Sequence, residues 1–155
     1  MKRVGLWAAM GIGIFITGGL LTVEPGYAGE KKHAPMCTLE TLKGRYLFAQ
    51  QAMLLPPAFG ITEPTPGADA GFHIFNGDGT GTDIVTFRLR GATVFSNSVI
   101  PITYEVNPDC TGSFTVPDGP SFDLFIAPDG ESIASISTAP PGNEASGIAR
   151  RVSRK

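Results

Sequence analysis

Reactive and metal-binding side chains are scarce in this sequence. Its 155 residues include two cysteines, two histidines and one tryptophan. There is no Cys-x-x-Cys pair, which a thioredoxin-like redox site or a zinc ribbon would need. There is also no Gly-x-Ser-x-Gly turn, which presents the serine of an α/β-hydrolase. We therefore assign no catalytic residue, no metal site and no cofactor from the sequence.

Charge is also sparse, and neither sign dominates. Charged residues make up 17% of the chain, and the formal net charge at pH 7 is −2. Four of the 12 basic residues are Arg150, Arg151, Arg154 and Lys155, which is typical of a solvated chain end. A nucleic-acid-binding protein needs a broad basic surface. Nucleic acid is therefore not an expected partner.

The first part of the chain lacks charge altogether over residues 4–23. A Lys-Arg pair precedes this apolar run, and a Gly-Tyr-Ala sequence ending at Ala28 resembles a signal-peptidase site. The pattern predicts a signal peptide over 1–28, a flexible segment over 29–36 and an exported protein, periplasmic or extracellular. The alternative is an uncleaved anchor, because about twenty apolar residues can span a bilayer. An uncleaved segment would be the chain's one route to a membrane.

Both cysteines, Cys37 and Cys110, follow the expected signal peptide. In an oxidising compartment an isolated pair of cysteines is most simply one disulfide. Such a bond would tie the start of the mature chain to its middle.

What the chain does contain is turn-forming and β-forming residues. The 20 glycines and 13 prolines recur in clusters roughly every eight to twelve residues, with β-branched and aromatic residues between them. Helical periodicity is scarce, apart from one possible turn over 38–43, and a long loop is expected over 56–67. The pattern predicts eight strands, over 45–54, 70–76, 80–89, 99–107, 111–116, 121–127, 131–138 and 144–152.

The predicted fold is all-β: a single antiparallel up-and-down barrel of about eight strands over residues 37–153. Short turns between successive strands favour antiparallel neighbours. Closing such a sheet removes its exposed edges. A two-sheet β-sandwich is the alternative architecture.

Three stretches of sequence carry a resemblance to a known group of proteins. They are Leu-Lys-Gly-Arg-Tyr over 42–46, Phe-Asn-Gly-Asp-Gly-Thr-Gly over 75–81 and Tyr-Glu-Val-Asn-Pro-Asp-Cys-Thr-Gly over 104–112. Together they resemble a group of secreted bacterial proteins of uncharacterised function, whose architecture is similar to calycin and allene oxide cyclase-like barrels. The resemblance implies export and a barrel. Its motifs are turns and a cysteine, so it implies no active site.

One segment, 76–83, has oxygen-bearing side chains at alternate positions, as calcium loops do. It lacks the later Glu of such loops, and Thr80 stands where a carboxylate or amide would serve better. The sequence favours a Gly-rich hairpin turn here.

Candidate ligand contacts come from the apolar and polar residues of the predicted strands. The interior of an eight-stranded barrel is either filled by side chains or just wide enough for one small ligand, and both possibilities stay open. For His73, an ordinary strand histidine is favoured over a general base, since neither Asp69 nor Glu105 is placed beside it by the sequence. The candidate ligand-binding residues are Tyr46, Phe48, Gln50, His73, Tyr104 and Glu105.

The function that the sequence favours is a module that binds a small apolar ligand or a protein partner. One alternative is a structural envelope protein without a ligand. The other is a barrel-cyclase-like enzyme that orients a lipid-like substrate by shape and a few polar groups. The sequence indicates no oligomeric state.

Overall fold

A computed structural model describes residues 36–154 of the chain. The expected signal peptide over 1–28, and the segment 29–36 except for its last residue, lie outside the described residues. Within 36–154, no helix is long and apolar enough to cross a membrane.

The described chain forms a closed barrel of eight strands. Each strand pairs antiparallel with the next, and β1 pairs with β8 to close the sheet. The all-β up-and-down barrel expected from the sequence is therefore confirmed. Two short 3-10 turns, Leu39–Leu42 and Ala58–Gly60, flank the first strand. The strands are β1 (Gly44–Leu54), β2 (Thr65–Phe75), β3 (Thr80–Leu89), β4 (Ala92–Val106), β5 (Thr111–Thr115), β6 (Ser121–Ile126), β7 (Ser132–Ala139) and β8 (Asn143–Ser153).

Strand β2 is longer than the sequence pattern predicts. A loop was expected over 56–67 and a strand over 70–76, but β2 already begins at Thr65. Its second and third residues, Pro66 and Gly67, look like loop formers, yet both pair with β1. Proline donates no hydrogen bond, which the first residues of a strand tolerate. The Pro66 carbonyl accepts a hydrogen bond from the Arg90 amide at 3.0 Å.

Strand β4 also begins earlier than the predicted range 99–107, at Ala92. Its pairing with β3 shifts register twice between Val85 and Arg88, and Asn97 has a φ of 49°. Each bulge disturbs the two-residue alternation by which a strand is recognised in a sequence. The first half of β4 was missed for this reason.

The turn after β2 and the turn after β4 have the same pattern of hydrogen bonds. In the first, Asp78 Oδ1 accepts hydrogen bonds from the Thr80 amide (2.9 Å) and hydroxyl (2.7 Å). In the second, Asp109 Oδ1 accepts the same two bonds from Thr111, at 3.0 and 2.7 Å. Asp83, the last residue of the calcium-like segment, turns into the barrel instead. The carboxylates of that segment therefore do not converge on one point.

The chain before β1 closes one end of the barrel. The expected Cys37–Cys110 disulfide is confirmed, and the Cys37 amide donates to the Pro108 carbonyl at 3.2 Å. Leu42, in the 3-10 turn, is fully buried. Pro108 and Cys110 belong to the β4–β5 turn, at the same end as the β2–β3 and β6–β7 turns. We call this the closed end, and the opposite end, where β1 finishes and β2 begins, the open end.

Candidate ligand-binding cavity

The open end of the barrel contains a cavity of about 520 Å³. This volume lies within the range of roughly 300 to 1,000 Å³ that is typical of small-molecule sites. Ala52 on β1 and Ala145 on β8 both line it, and their small side chains leave part of the lumen unfilled. Both kinds of interior that the sequence allowed are therefore present: side chains fill the closed end of the barrel, and the open end is hollow.

The walls of the cavity are mainly apolar. They come from the inner faces of the strands and, at the mouth, from the β1–β2 and β5–β6 loops. Phe114 and Phe122 stack with ring centroids 4.6 Å apart, and Phe87 and Phe95 lie 5.6 Å apart. The apolar lining residues are Phe48, Ala52, Leu54, Phe59, Ile61, Val85, Phe87, Leu89, Val94, Phe95, Ile100, Phe114, Val116, Pro117, Pro120, Phe122 and Ala145.

A histidine–aspartate pair lies on the inner face beside this apolar wall. His73 on β2 and Asp83 on β3 are direct cross-strand partners, so the sheet register brings them together. The His73 Nδ1 and Asp83 Oδ1 atoms are 2.7 Å apart, and each side chain is only 7% exposed. The His73 ring stacks on Phe48 with centroids 3.9 Å apart. The imidazole is thus fixed on one side by a carboxylate and on its face by an aromatic ring.

A second polar pair lies next to the first. Gln50 on β1 and Asp69 on β2 are cross-strand partners, and Gln50 Nε2 donates to Asp69 Oδ2 at 2.9 Å. Asp69 Oδ1 is buried and accepts no hydrogen bond from any described residue. Between Asp69 and His73 stands Gly71, where a Cβ would lie 1.9 Å from the Ile84 carbonyl oxygen. Glycine is needed there because β2 and β3 approach so closely.

Burial makes the carboxyl group of Asp69 a weaker acid than an ordinary aspartate side chain. Desolvation raises its pKa from 3.8 to about 6, and the nearby Asp83 acts in the same direction. The hydrogen bond from Gln50 and the charge of His73 oppose the rise but do not cancel it. Near neutral pH, Asp69 can therefore gain or lose a proton with little change in conditions.

This shift predicts a pH-dependent effect of Asp69→Asn on stability. The folded-state pKa lies above the unfolded value, so the contribution of Asp69 to stability is full below about pH 4 and is lost as the pH rises through 6. At pH 8 the substitution should raise the free energy of unfolding by about 1 to 3 kcal/mol. At pH 4 it should have little effect. Urea denaturation at the two pH values measures the difference.

The matched control is Asp118→Asn, since Asp118 lies exposed at the cavity mouth. It should leave stability unchanged at both pH values. An equal loss of stability at pH 4 and pH 8 in Asp69→Asn would contradict the prediction, because it would mean that Asp69 acts through packing and not through its charge.

Three of the residues singled out from the sequence line the cavity: Phe48, Gln50 and His73. Glu105 does not, because it is exposed on the outer face of β4. Its neighbour Tyr104 points inward, and successive residues of a strand face opposite sides. The partner of His73 is Asp83, which the sequence reasoning did not consider.

Tyr46 and Tyr104 lie inside the barrel but at its closed end. The Tyr46 hydroxyl donates to the Gly130 carbonyl at 2.5 Å and accepts from Arg151 Nε at 3.0 Å. The Arg151 side chain is only 2% exposed. Tyr104 accepts from the Gly77 amide at 2.8 Å. Both tyrosines hold the closed end together, away from the cavity.

Asp69 and Asp83 are the site residues that sequence reasoning missed or undervalued. The sequence indicates Asp69 only as a conceivable partner for His73. The sequence nevertheless contained a signal. In β3, Asp83 lies two residues before the buried Val85, so both side chains face the interior of the barrel. An acidic residue among inward-facing apolar positions indicates a polar site inside the barrel.

The fold and the cavity together define a closed up-and-down β-barrel with an internal, mainly apolar chamber. No protein-family model and no curated protein matches this chain. Among solved structures it is similar to a redesigned beta barrel, mFAP1, bound to DFHBI. The TM-score is 0.43 at 16% identity, over 74% of this chain and 98% of the designed one.

Proposed function

We propose that this protein is an exported β-barrel that binds a small apolar molecule in the chamber at its open end. The observation that carries this proposal is the cavity of about 520 Å³, lined mainly by apolar side chains. A few polar groups, Gln50, Asp69, His73 and Asp83, stand together on one part of its wall. Apolar walls with a few convergent polar groups are typical of small-molecule sites.

Two features support the exported location. The charged start, apolar run and Gly-Tyr-Ala sequence of residues 1–28 have the order of a secretory signal. The Cys37–Cys110 disulfide is of a kind that persists mainly in oxidising compartments. The domain that works there is the barrel of residues 37–153, in the periplasm or outside the cell.

Filling the chamber should abolish binding of an apolar probe. Ala52 lines the cavity from β1, whereas Ala49 on the same strand is exposed on the outer face. Ala52→Trp should weaken binding of the uncharged fluorophore N-phenyl-1-naphthylamine at least about tenfold, because the indole occupies the space of the ligand. Ala49→Trp should bind like the wild type. Fluorescence titration measures both, with thermal unfolding to confirm that each variant is folded.

Two results would count against binding in the chamber. One is an equal affinity of the Ala52→Trp and Ala49→Trp variants, which would place the probe elsewhere. The other is failure of the wild type to bind the probe, which would favour a structural role without a ligand. Native mass spectrometry of protein isolated from the periplasm adds a direct readout: a chain beginning at Gly29 that carries a co-purified small molecule.

An enzyme is the second candidate, and one observation favours it. Asp69, with its pKa raised to about 6, lies in the same chamber as the His73–Asp83 pair. Acid–base catalysts commonly combine a carboxyl group with a pKa near the working pH and an apolar pocket. If the barrel is an enzyme, a bound lipid-like molecule should change in mass or structure during incubation. Its recovery unchanged would favour simple binding.

A further inference from the structure

The charged groups that face the chamber are almost all acidic. Asp69, Asp83 and Asp118 line it, and none of the described lining residues is Lys or Arg. His73 is the single basic side chain among them, and Asp83 already binds it. The chamber therefore presents negative charge to whatever enters it.

Asp69 is the carboxylate of this group with a buried oxygen that lacks a compensating partner. One of its oxygens accepts a hydrogen bond from the neutral Gln50, and the other accepts none from the described residues. The cross-strand partner of Asp69 on β3 is the apolar Phe87. A buried acceptor without a donor is costly, and the cost is greater when the group is charged. A positive or hydrogen-bond-donating group on a ligand would offset this cost.

We propose that the chamber selects an apolar molecule with a protonated amine at one end, and that the amine lies against Asp69. This inference rests on the proposed ligand-binding function and adds the chemical class of the ligand. An ionised carboxylic acid of the same length should be rejected. Its negative charge would meet the carboxylates of Asp69 and Asp83 within mainly apolar walls, where charges interact more strongly than in water.

The chamber walls suit the rest of such a molecule. Val85, Phe87 and Ile100 offer aliphatic and aromatic surface on β3 and β4. Phe48 and Phe114, which both contact the His73 ring, add aromatic faces close to the polar groups. A ring face attracts a nearby cation through its quadrupole. The apolar walls would hold the body of the molecule and the polar wall would hold its amine.

A matched set of three alkyl compounds tests the proposal. Decylamine, decanol and decanoate share one chain length and differ in head group, and each competes with N-phenyl-1-naphthylamine for the wild-type protein at about pH 7.5. We expect decylamine to bind about tenfold or more tightly than decanol, and decanoate to bind more weakly than decanol. Equal affinity for the amine and the alcohol, or tighter binding of decanoate, would overturn the proposal.

The Asp69→Asn variant tests whether Asp69 is the residue that causes the preference for the amine. It should lose the preference for decylamine over decanol, measured as the ratio of the two dissociation constants in the same variant. Asp123→Asn, on the exposed outer face of β6, should keep the preference. Retention of the full preference in Asp69→Asn would overturn the assignment. If the wild type bound the fluorophore but showed no preference among the alkyl compounds, only this inference would fail. If it bound neither the fluorophore nor any alkyl compound, the proposed function itself would fail.

Lowering the pH supplies an independent readout. Gln50 on β1, His73 on β2 and Asp83 on β3 are the polar and titratable groups around Asp69. Between pH 8 and pH 5, Asp69 gains a proton, and the loss of its negative charge weakens the attraction for an amine. The preference for decylamine should shrink several-fold over this range. A preference that grows as the pH falls would contradict the assigned role of Asp69.

Discussion

Removal of the disulfide by Cys37→Ala and Cys110→Ala should lower the free energy of unfolding by about 4 kcal/mol. The bond joins residues 73 positions apart, so it closes a long loop. In the chain-entropy model a cross-link restricts the unfolded chain, and the restriction grows with the logarithm of the loop length. Urea denaturation of the oxidised protein and of the double variant measures the difference.

The reduced wild type is the control for this prediction. It should unfold at the same urea concentration as the double variant, since both lack the cross-link. A thiol count on natively folded protein adds a second check, because two free thiols would show that the bond does not form. The chamber lies at the opposite end of the barrel, so the folded double variant should still bind the fluorophore. Loss of binding without loss of stability would contradict this division of the barrel.

Leu42→Ala should destabilise the protein by about 2 to 5 kcal/mol. Leu42 is fully buried in the 3-10 turn that closes the barrel, and it belongs to the same core as Tyr46 and Phe75. Truncation of its side chain loses the free energy of burial and leaves a void, because a close-packed core relaxes only in part. Thermal or urea unfolding should show a clear drop in stability with little change in probe affinity.

Leu47→Ala is the matched control, with the same chemical change on the outer face of β1. The Leu47 side chain is 51% exposed, so its truncation should change the free energy of unfolding by no more than about 0.5 kcal/mol. If the two variants were equally stable, the 3-10 turn would not be part of the folded core. That result would leave the disulfide as the sole anchor of the chain before β1.

The strand count was predictable because turn chemistry is local. Gly and Pro clusters such as Pro117-Asp118-Gly119 and Pro128-Asp129-Gly130 form the turns that separate successive strands. The predicted starts of strands were wrong where the local residue preferences and the pairing of strands in the sheet disagree. Pro66 lies inside β2, and the bulges near Phe87 hide the first half of β4. In both cases hydrogen bonds to a neighbouring strand override the local preference.

The candidate site was only partly predictable from the sequence. Alternation along one strand states which residues share a face, and on that basis Tyr104 and Glu105 could have been separated. It does not state which residue of the next strand lies opposite. The pairs His73–Asp83 and Gln50–Asp69 depend on sheet register, which becomes fixed only when the strands pair. The distinction between Tyr46 at the closed end and Phe48 at the chamber depends on how far the chain before β1 reaches into the barrel.

The sequence by itself determined the class of fold and predicted the disulfide, because turn residues, alternation and an isolated cysteine pair are local or compositional signals. The tertiary structure decided where the barrel is hollow and what faces the cavity. Ala52 and Ala145 leave space only because they lie at the same open end, while the 3-10 turn and Leu42 fill the other. Asp69 has a raised pKa only because folding removes it from water beside Asp83. Both properties arise from residues far apart in the chain, and so they exist only in the closed barrel.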